Sequence, residues 1–444
     1  MRFNYRLTIS YLSLILAFSS CDTKQEPEQE MHISDSFFNN DSAQNSLLTT
    51  YLNEKPDQYA FSMPEAETAI QYDFDEVAPL FKQYCIPCHH SSGGAPFSLE
   101  SYSSIRKRSK AIKEALISKI MPPWKADNFY NHYNNSQDIP DSLREKMIHW
   151  INQGCSKKDK SWKNHEFAFQ PKIDFNYFLP KTPIITVKND SDGFQFTVID
   201  PHFKEDTYVN GIEFISSNPS ILHHYGLMAD TTGLLLNDSS SKYNAKVNYG
   251  QLLLIDAWAK GMKPFKFQRD IALRLPKKTK FLLETHFHGY GNIGKKEQCK
   301  IAFHTVKKPN RIVEWKVLKN SELNIPAHEV LTQSIIHTFE SDITIIGIIP
   351  HTHYLAQKIE AFVITPTKEK INLLHIPEWS YVVQNKYMFE NDIKIPKGST
   401  FYLNTVYDNT ENNPEQPNKK IRNIKFGRSS YDEMLTCALI TYSK

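Results

Sequence analysis

The sequence predicts a multidomain chain in which a small all-α region is followed by two all-β sandwiches. Between about residues 71 and 160, apolar residues recur at the three-to-four spacing of helix faces. From about 175 onward the text turns to short alternating or wholly apolar runs broken by Pro, Gly and Asn clusters. At 444 residues the chain has room for about three domains of ordinary size.

In the first region Phe74, Val77, Leu80 and Phe81 share one helical face, just ahead of a cysteine motif. A second helix is expected over Ser142–Gln153, with Ser142 and Glu145 as a capping box and Gly154 as its stop. Leu143, Met147, Trp150 and Ile151 form its apolar face. In the β-rich part, Ile184–Val187, Phe194–Val198, Phe281–His286 and Ile343–Ile348 read as strands of antiparallel sandwiches. The expected domains are an all-α domain at 71–160 and sandwiches at 175–308 and 309–444, meeting near Lys308–Arg311.

Composition narrows the function classes. Hydrophobic residues make up 40% and aromatics 12%, enough to fill cores, and 52 basic against 49 acidic residues leave a formal charge of +3. Neither a basic excess nor a basic stripe argues for nucleic acid. Arg2 and Arg6 precede the apolar stretch Leu7–Phe18, and Ser19-Ser20 lead into Cys21. This pattern resembles a bacterial lipoprotein signal, which implies export and lipidation at Cys21; an ordinary signal peptide with an incidental cysteine is the alternative. The expected place is then the periplasmic or cell-surface side of a membrane, held by the anchor. Residues 22–70 are polar and read as a disordered tether. No later segment approaches the ~18 apolar residues that span a bilayer. Cys155, Cys299 and Cys437 allow at most one disulfide among them.

Cys85-Ile86-Pro87-Cys88-His89 is the attachment signature of haem c. Two thiols on one turn can add to the haem vinyl groups, and the next residue offers an imidazole to the iron. A zinc site would normally show a second spaced ligand pair, and a thioredoxin-like CxxC would follow a strand of a βαβ unit; neither context is present. Met121 is the candidate sixth ligand, because thioether ligation is common in cytochromes c. Met147 belongs to a helix face, and His90 adjoins the proximal ligand. The motif, together with Met121-Pro122-Pro123-Trp124 and Trp150-Ile151, resembles a family of small bacterial cytochrome c domains over about 85 residues.

Three histidine motifs and one methionine follow: His223-His224, His286 within Glu284-Thr285-His286, His351-Thr352-His353, and Met434 within Tyr431-Asp432-Glu433-Met434. Imidazole suits copper in both oxidation states and a thioether favours Cu(I). On a strand, His351 and His353 would face one side and could chelate one ion. His223 and His224 would face opposite sides unless a turn or bulge intervenes. A histidine pair taken alone is more often satisfied polar packing than a ligand set.

The order and surroundings of these motifs resemble the two-copper monooxygenases that hydroxylate peptidylglycine and dopamine. Ser220-Ile221-Leu222-His223-His224, His351-Thr352-His353-Tyr354-Leu355, Tyr407-Asp408-Asn409 and Ser430–Met434 carry the resemblance, over about residues 180–444. It implies two jelly-roll-like sandwiches with one copper each. His223, His224 and His286 would bind the electron-transferring ion; His351, His353 and Met434 would bind the ion where O₂ is activated. His288 is outside this set and is a possible outer partner of His286. The peptide enzymes carry glutamine where Glu284 stands, and a substrate-binding arginine where Ile349 stands, so a peptide carboxylate is not the expected substrate.

The expectation is therefore a monooxygenase using two copper ions, one covalent haem c, O₂, an external electron donor and an unidentified organic substrate, with the haem passing electrons to the first copper. The alternative is a non-catalytic copper-binding or electron-carrier lipoprotein. A surface-adhesion sandwich with incidental histidines would bind no copper tightly.

Overall fold

The computed structural model describes residues 70–158 and 175–442, apart from 92–94, 96, 191–192, 232, 234, 236–251, 260–264, 268–269, 288–290, 308, 382 and 428–430. Of His223, Ala259 and Phe265 it describes the backbone alone. The expected signal, Cys21, the tether up to residue 69 and His288 lie outside the described residues. No described helix is long and apolar enough to cross a membrane.

Four helices, Phe74–Tyr84, Tyr102–Lys107, Ser109–Ile117 and Asp141–Asn152, form the α region. Phe74, Val77, Phe81, Ile86, Met147 and Trp150 are buried together, as their spacing requires. The last helix starts one residue before the expected site. Leu143 and Arg144 both donate their N–H groups to Pro140 O at 2.9 Å, so the carbonyl ahead of Asp141 closes the first turn and Ser142 lies inside the helix. A capping box is found instead at Asp73, whose N–H donates to Glu76 Oε2 at 2.8 Å.

The first sandwich uses β1 (Tyr177–Phe178), β2 (Ile185–Thr186), β3 (Gly193–Ile199), β4 (Thr207–Ser216), β5 (Leu222–Asp230) and β6 (Leu253–Ala259). It continues through β7 (Phe265–Lys266), β8 (Ile271–Leu275), β9 (Lys280–Phe287), β10 (Lys296–Glu297), β11 (Cys299–Val306) and β12 (Arg311–Ile312). One sheet runs β1-β11-β4-β8-β12 with β7 beside β4, and the other runs β3-β9-β5-β6. Alternation sends Tyr225, Leu227, Phe281 and Leu283 into the core against Ile212, Phe214, Ile301 and Phe303. The change-over to the second sandwich falls at Val313, still buried in the first core.

The second sandwich contains β13 (Glu314–Lys319), β14 (Asn324–Ile325), β15 (Val330–Thr338), β16 (Ile343–His351) and β17 (Ala356–Ile364). Its remaining strands are β18 (Lys370–Ile376), β19 (Tyr387–Ile395), β20 (Thr400–Asp408), β21 (Ile424–Lys425) and β22 (Thr436–Tyr442). The sheets β13-β22-β16-β19 and β15-β20-β17-β18 enclose a core of Ile345, Ile348, Ile359, Leu374, Phe401 and Leu439. Ile346, Met388, Ile440 and Tyr442 belong instead to the first core, so the β13-β22-β16-β19 sheet serves both cores, one on each face.

A feature absent from the expected domain plan joins the α region to the second sandwich. The connection between the last two helices buries Trp124, Ala126 and Tyr133 in the second core. Tyr133 pairs with Phe389 as an isolated bridge, and its hydroxyl donates to Leu373 O at 2.9 Å.

Candidate metal and haem centres

Cys85, Cys88 and His89 occupy one turn at the C-terminal end of the first helix: the N–H groups of Cys88 and His89 both donate to Cys85 O. The His89 Nδ1–H donates to Phe97 O at 3.1 Å, and the Phe97 ring tilts over the imidazole at 4.6 Å. Committing Nδ1 to a carbonyl fixes the tautomer and leaves the lone pair on Nε2, as an axial ligand requires. These residues fit a c-type haem. Met121 is 42% exposed, with Ile117 and Ile120 also exposed beside it in sequence. Its described hydrogen bond runs from its N–H to Ala115 O, and no described contact joins Met121 to His89.

In the first sandwich, β5 pairs with β9 so that His224 faces His286, and a register shift between Leu222 and His224 puts His223 at a bulge. This is the irregularity that adjacent histidines need if both are to reach one ion. Leu282, Glu284 and His286 alternate with core-facing Phe281 and Leu283, which puts the pair on the outer face of the β3-β9-β5-β6 sheet. The Nδ1 atoms of His224 and His286 stand 3.4 Å apart, with their rings edge to face at 4.8 Å. Two imidazole nitrogens bound at ~2.0 Å to one tetrahedral ion stand ~3.3 Å apart, so the spacing fits a shared metal. Phe194 stacks on His286 at 4.1 Å, and His224 Nε2 lies 3.2 Å from Glu284 Oε1. Burial pushes the Glu284 carboxyl up to about 9.

In the second sandwich β16 ends at His351, so His351 and His353 are not neighbours along a regular strand as expected. They are nevertheless brought together, rings edge to face at 5.2 Å. Both are buried, and both engage the protein through Nδ1: His351 with Gln384 Oε1 at 2.7 Å, His353 with Asp432 O at 3.1 Å. His351 Nε2 is buried with no hydrogen-bond partner. An imidazole nitrogen held this way is normally costly, and a metal would satisfy it. Burial, with His353 beside it, pulls the His351 imidazole down to about 3, so the ring is neutral.

Glu433 organises this centre. Its buried carboxylate accepts from Thr352 Oγ1, and from the N–H groups of His353, Leu355 and Met434, at 2.7–3.1 Å. Burial pushes its pKa up to about 7 against the pull of those donors. Tyr407 donates to Met434 O at 2.7 Å, and Trp379 Nε1–H donates to His353 O at 3.1 Å. Met434 is 1% exposed. In the sequence Glu433 stands out only as part of the Asp432-Glu433-Met434 motif, and no local pattern marks Gln384.

Among the described residues no cluster of three or more His, Cys, Asp or Glu side chains is arranged around a metal position. The expected centres differ from such clusters, since one includes the His223 side chain and the other combines two imidazoles with a thioether.

No protein-family model matches the chain, and no curated protein matches it. Among solved structures, the T=1 particles derived from infectious bursal virus are 10% identical with a TM-score of 0.16, over 62% of this chain and 78% of that one. The VP2 subviral particle of infectious bursal disease virus gives 10% and 0.17, over 62% and 74%. Dimeric latent PorU from Porphyromonas gingivalis gives 8% and 0.17, over 57% and 24%. None of these likenesses bears on the histidine centres.

Proposed function

We propose that the chain is a copper-dependent monooxygenase with a fused c-type haem domain, exported and anchored through lipid at Cys21. The observation that carries this reading is the pairing of imidazoles in both sandwiches, with Nδ1 presented in the first and Nε2 in the second. Buried, unpartnered His351 Nε2 sits beside a second buried imidazole whose Nδ1 is likewise committed to the protein, an arrangement that a shared metal would satisfy.

His224 and His286, with His223 on the bulge, would hold one copper; His351, His353 and Met434 would hold the other; Cys85, Cys88 and His89 would hold the haem, with Met121 the proposed sixth ligand. Copper and haem would supply one-electron storage and transfer, and copper at the second centre would supply O₂ activation. The overall balance is R–H + O₂ + 2e⁻ + 2H⁺ → R–OH + H₂O, the electrons coming from an external donor.

The protein's own part is orientation and exclusion. Glu433 fixes the turn through Thr352, His353 and Leu355, while burial of both imidazoles keeps water from the reacting position. Ile349 packs against the first core, so no guanidinium stands there to bind a substrate carboxylate. Electron entry through the haem domain would draw on proximity: His90, Phe97 and Ser98 beside the haem motif face Ser217, Asn218 and Pro219 across one open cleft. The second set leads directly into His223-His224.

The test is copper-loaded, pre-reduced protein mixed with O₂ and candidate substrates. Hydroxylated product with copper-dependent haem reoxidation is expected. Peroxide release without product would favour a copper-binding electron carrier instead.

A further inference from the structure

Three consecutive residues, Gln384, Asn385 and Lys386, each contact a different part of the molecule. Gln384 Oε1 meets His351 Nδ1 at 2.7 Å, while its Nε2 donates to Tyr381 O at 2.8 Å. The second bond fixes which end of the amide is oxygen, so His351 Nδ1 must be the donor and Nε2 carries the lone pair. Asn385 Nδ2 donates to Pro123 O at 3.0 Å, on the connection from the α region. Asn135, from the same connection, donates to Lys386 O at 2.7 Å and accepts from the Met388 N–H at 3.0 Å. The Lys386 ammonium is ion-paired with Asp256 on β6 of the first sandwich, both groups buried.

We propose that Gln384 is a positioning residue for the second centre, and that Asn385 and Lys386 make its position depend on the docking of the α region and of the first sandwich. The imidazole direction is set by a single amide oxygen. That amide lies three residues before β19, whose Tyr387 and Met388 pair with Ile348 and Gly347 of β16, and the contacts of Asn385 and Lys386 add to this pairing in fixing it. Tyr387, which follows, packs edge to face with Trp124 at 5.0 Å and is tilted against Tyr133 at 5.5 Å. Undocking the 122–135 connection would therefore loosen the Gln384 side of the His351 hydrogen bond, leaving it held by the β16–β19 pairing and the Lys386–Asp256 ion pair. The haem-bearing region and the second centre are coupled mechanically, through one hydrogen-bonded relay of protein groups.

The proposal rests on the copper reading for its spectroscopic arm and is independent of it in the other. In the full-length protein, Asn135→Ala should raise deuterium uptake in 122–135 and also in 348–355, with or without copper. Gln384→Leu should raise uptake in 348–355 alone, weaken copper at the second centre about 10- to 100-fold, and change its Cu(II) EPR spectrum. Gln384→Glu, which retains the acceptor, should restore both. Looser 122–135 with unchanged exchange at 348–355 would overturn the coupling, and a wild-type EPR spectrum in Gln384→Leu would overturn the positioning role. If the unmutated protein binds no copper at the second centre, the metal reading fails while the exchange comparison still decides this proposal.

Discussion

The His353 N–H donates to Glu433 Oε2 at 2.8 Å, tying the residue that follows Thr352 to the residue that precedes Met434. Eighty positions of chain separate the two. Pairing of β16 with β22 sets His351 opposite Thr436, and this bond closes the His-x-His turn onto the methionine segment in one buried site.

Replacing Glu433 by Ala should be among the most destabilising single changes in the second sandwich. It strands the amides of His353, Leu355 and Met434 in a site from which water is excluded. Each orphaned donor costs roughly 1–3 kcal/mol, so a loss of at least ~3 kcal/mol is expected in urea unfolding. Glu433→Gln, which keeps an acceptor oxygen, should lose less.

The readable part of this architecture was local. Cys85–His89 forms one turn because the motif is one turn, and the alternation in Phe281–His286 correctly separates Leu282 and His286 from Phe281 and Leu283. The His224–His286 pairing follows from the β5–β9 register, which motif order suggested and long-range pairing decided. Gln384, Asp256 and the burial of Trp124 and Tyr133 in the second core were not legible. Each depends on contacts between segments more than a hundred residues apart or on an amide in an irregular stretch, and neither leaves a periodic trace. The Ser142–Glu145 pattern does not cap this helix because the Pro140 carbonyl closes its first turn.

Asp256→Asn should expose the cost of the buried Lys386 charge. Burial pulls the Lys386 ammonium down to about 7, below its ordinary 10.5, and the Asp256 carboxylate is what compensates the charge. Removing one partner of such a pair typically costs 3–5 kcal/mol. The lysine of the variant binds its proton more weakly folded than unfolded. Without the carboxylate the folded lysine titrates below the about 7 it has beside Asp256, so the variant's stability should rise with pH from below 7 to about 10.5 and level off above. Unfolding curves at pH 7 and pH 9 check this directly.

Glu284→Leu should weaken copper at the first centre by about 10- to 100-fold, because His224 loses the partner of its Nε2. Glu284→Gln keeps an oxygen acceptor of the same length and should stay near the wild-type affinity. Competitive copper titration with a chelator separates the two.

Met434→Ala should abolish product formation and the second copper while leaving the first in place. Met434 is buried beside the Glu433 hydrogen bonds and does not contribute to the His224–His286 face. Full turnover by the variant would remove the methionine from the proposed ligand set.

Metal stoichiometry of the intact, folded chain tests the central claim most directly. The account predicts two tightly held copper ions for each covalently bound haem, falling to one copper when His351 is replaced by Ala and the fold is retained. A folded wild-type chain that takes up no tight copper would contradict it.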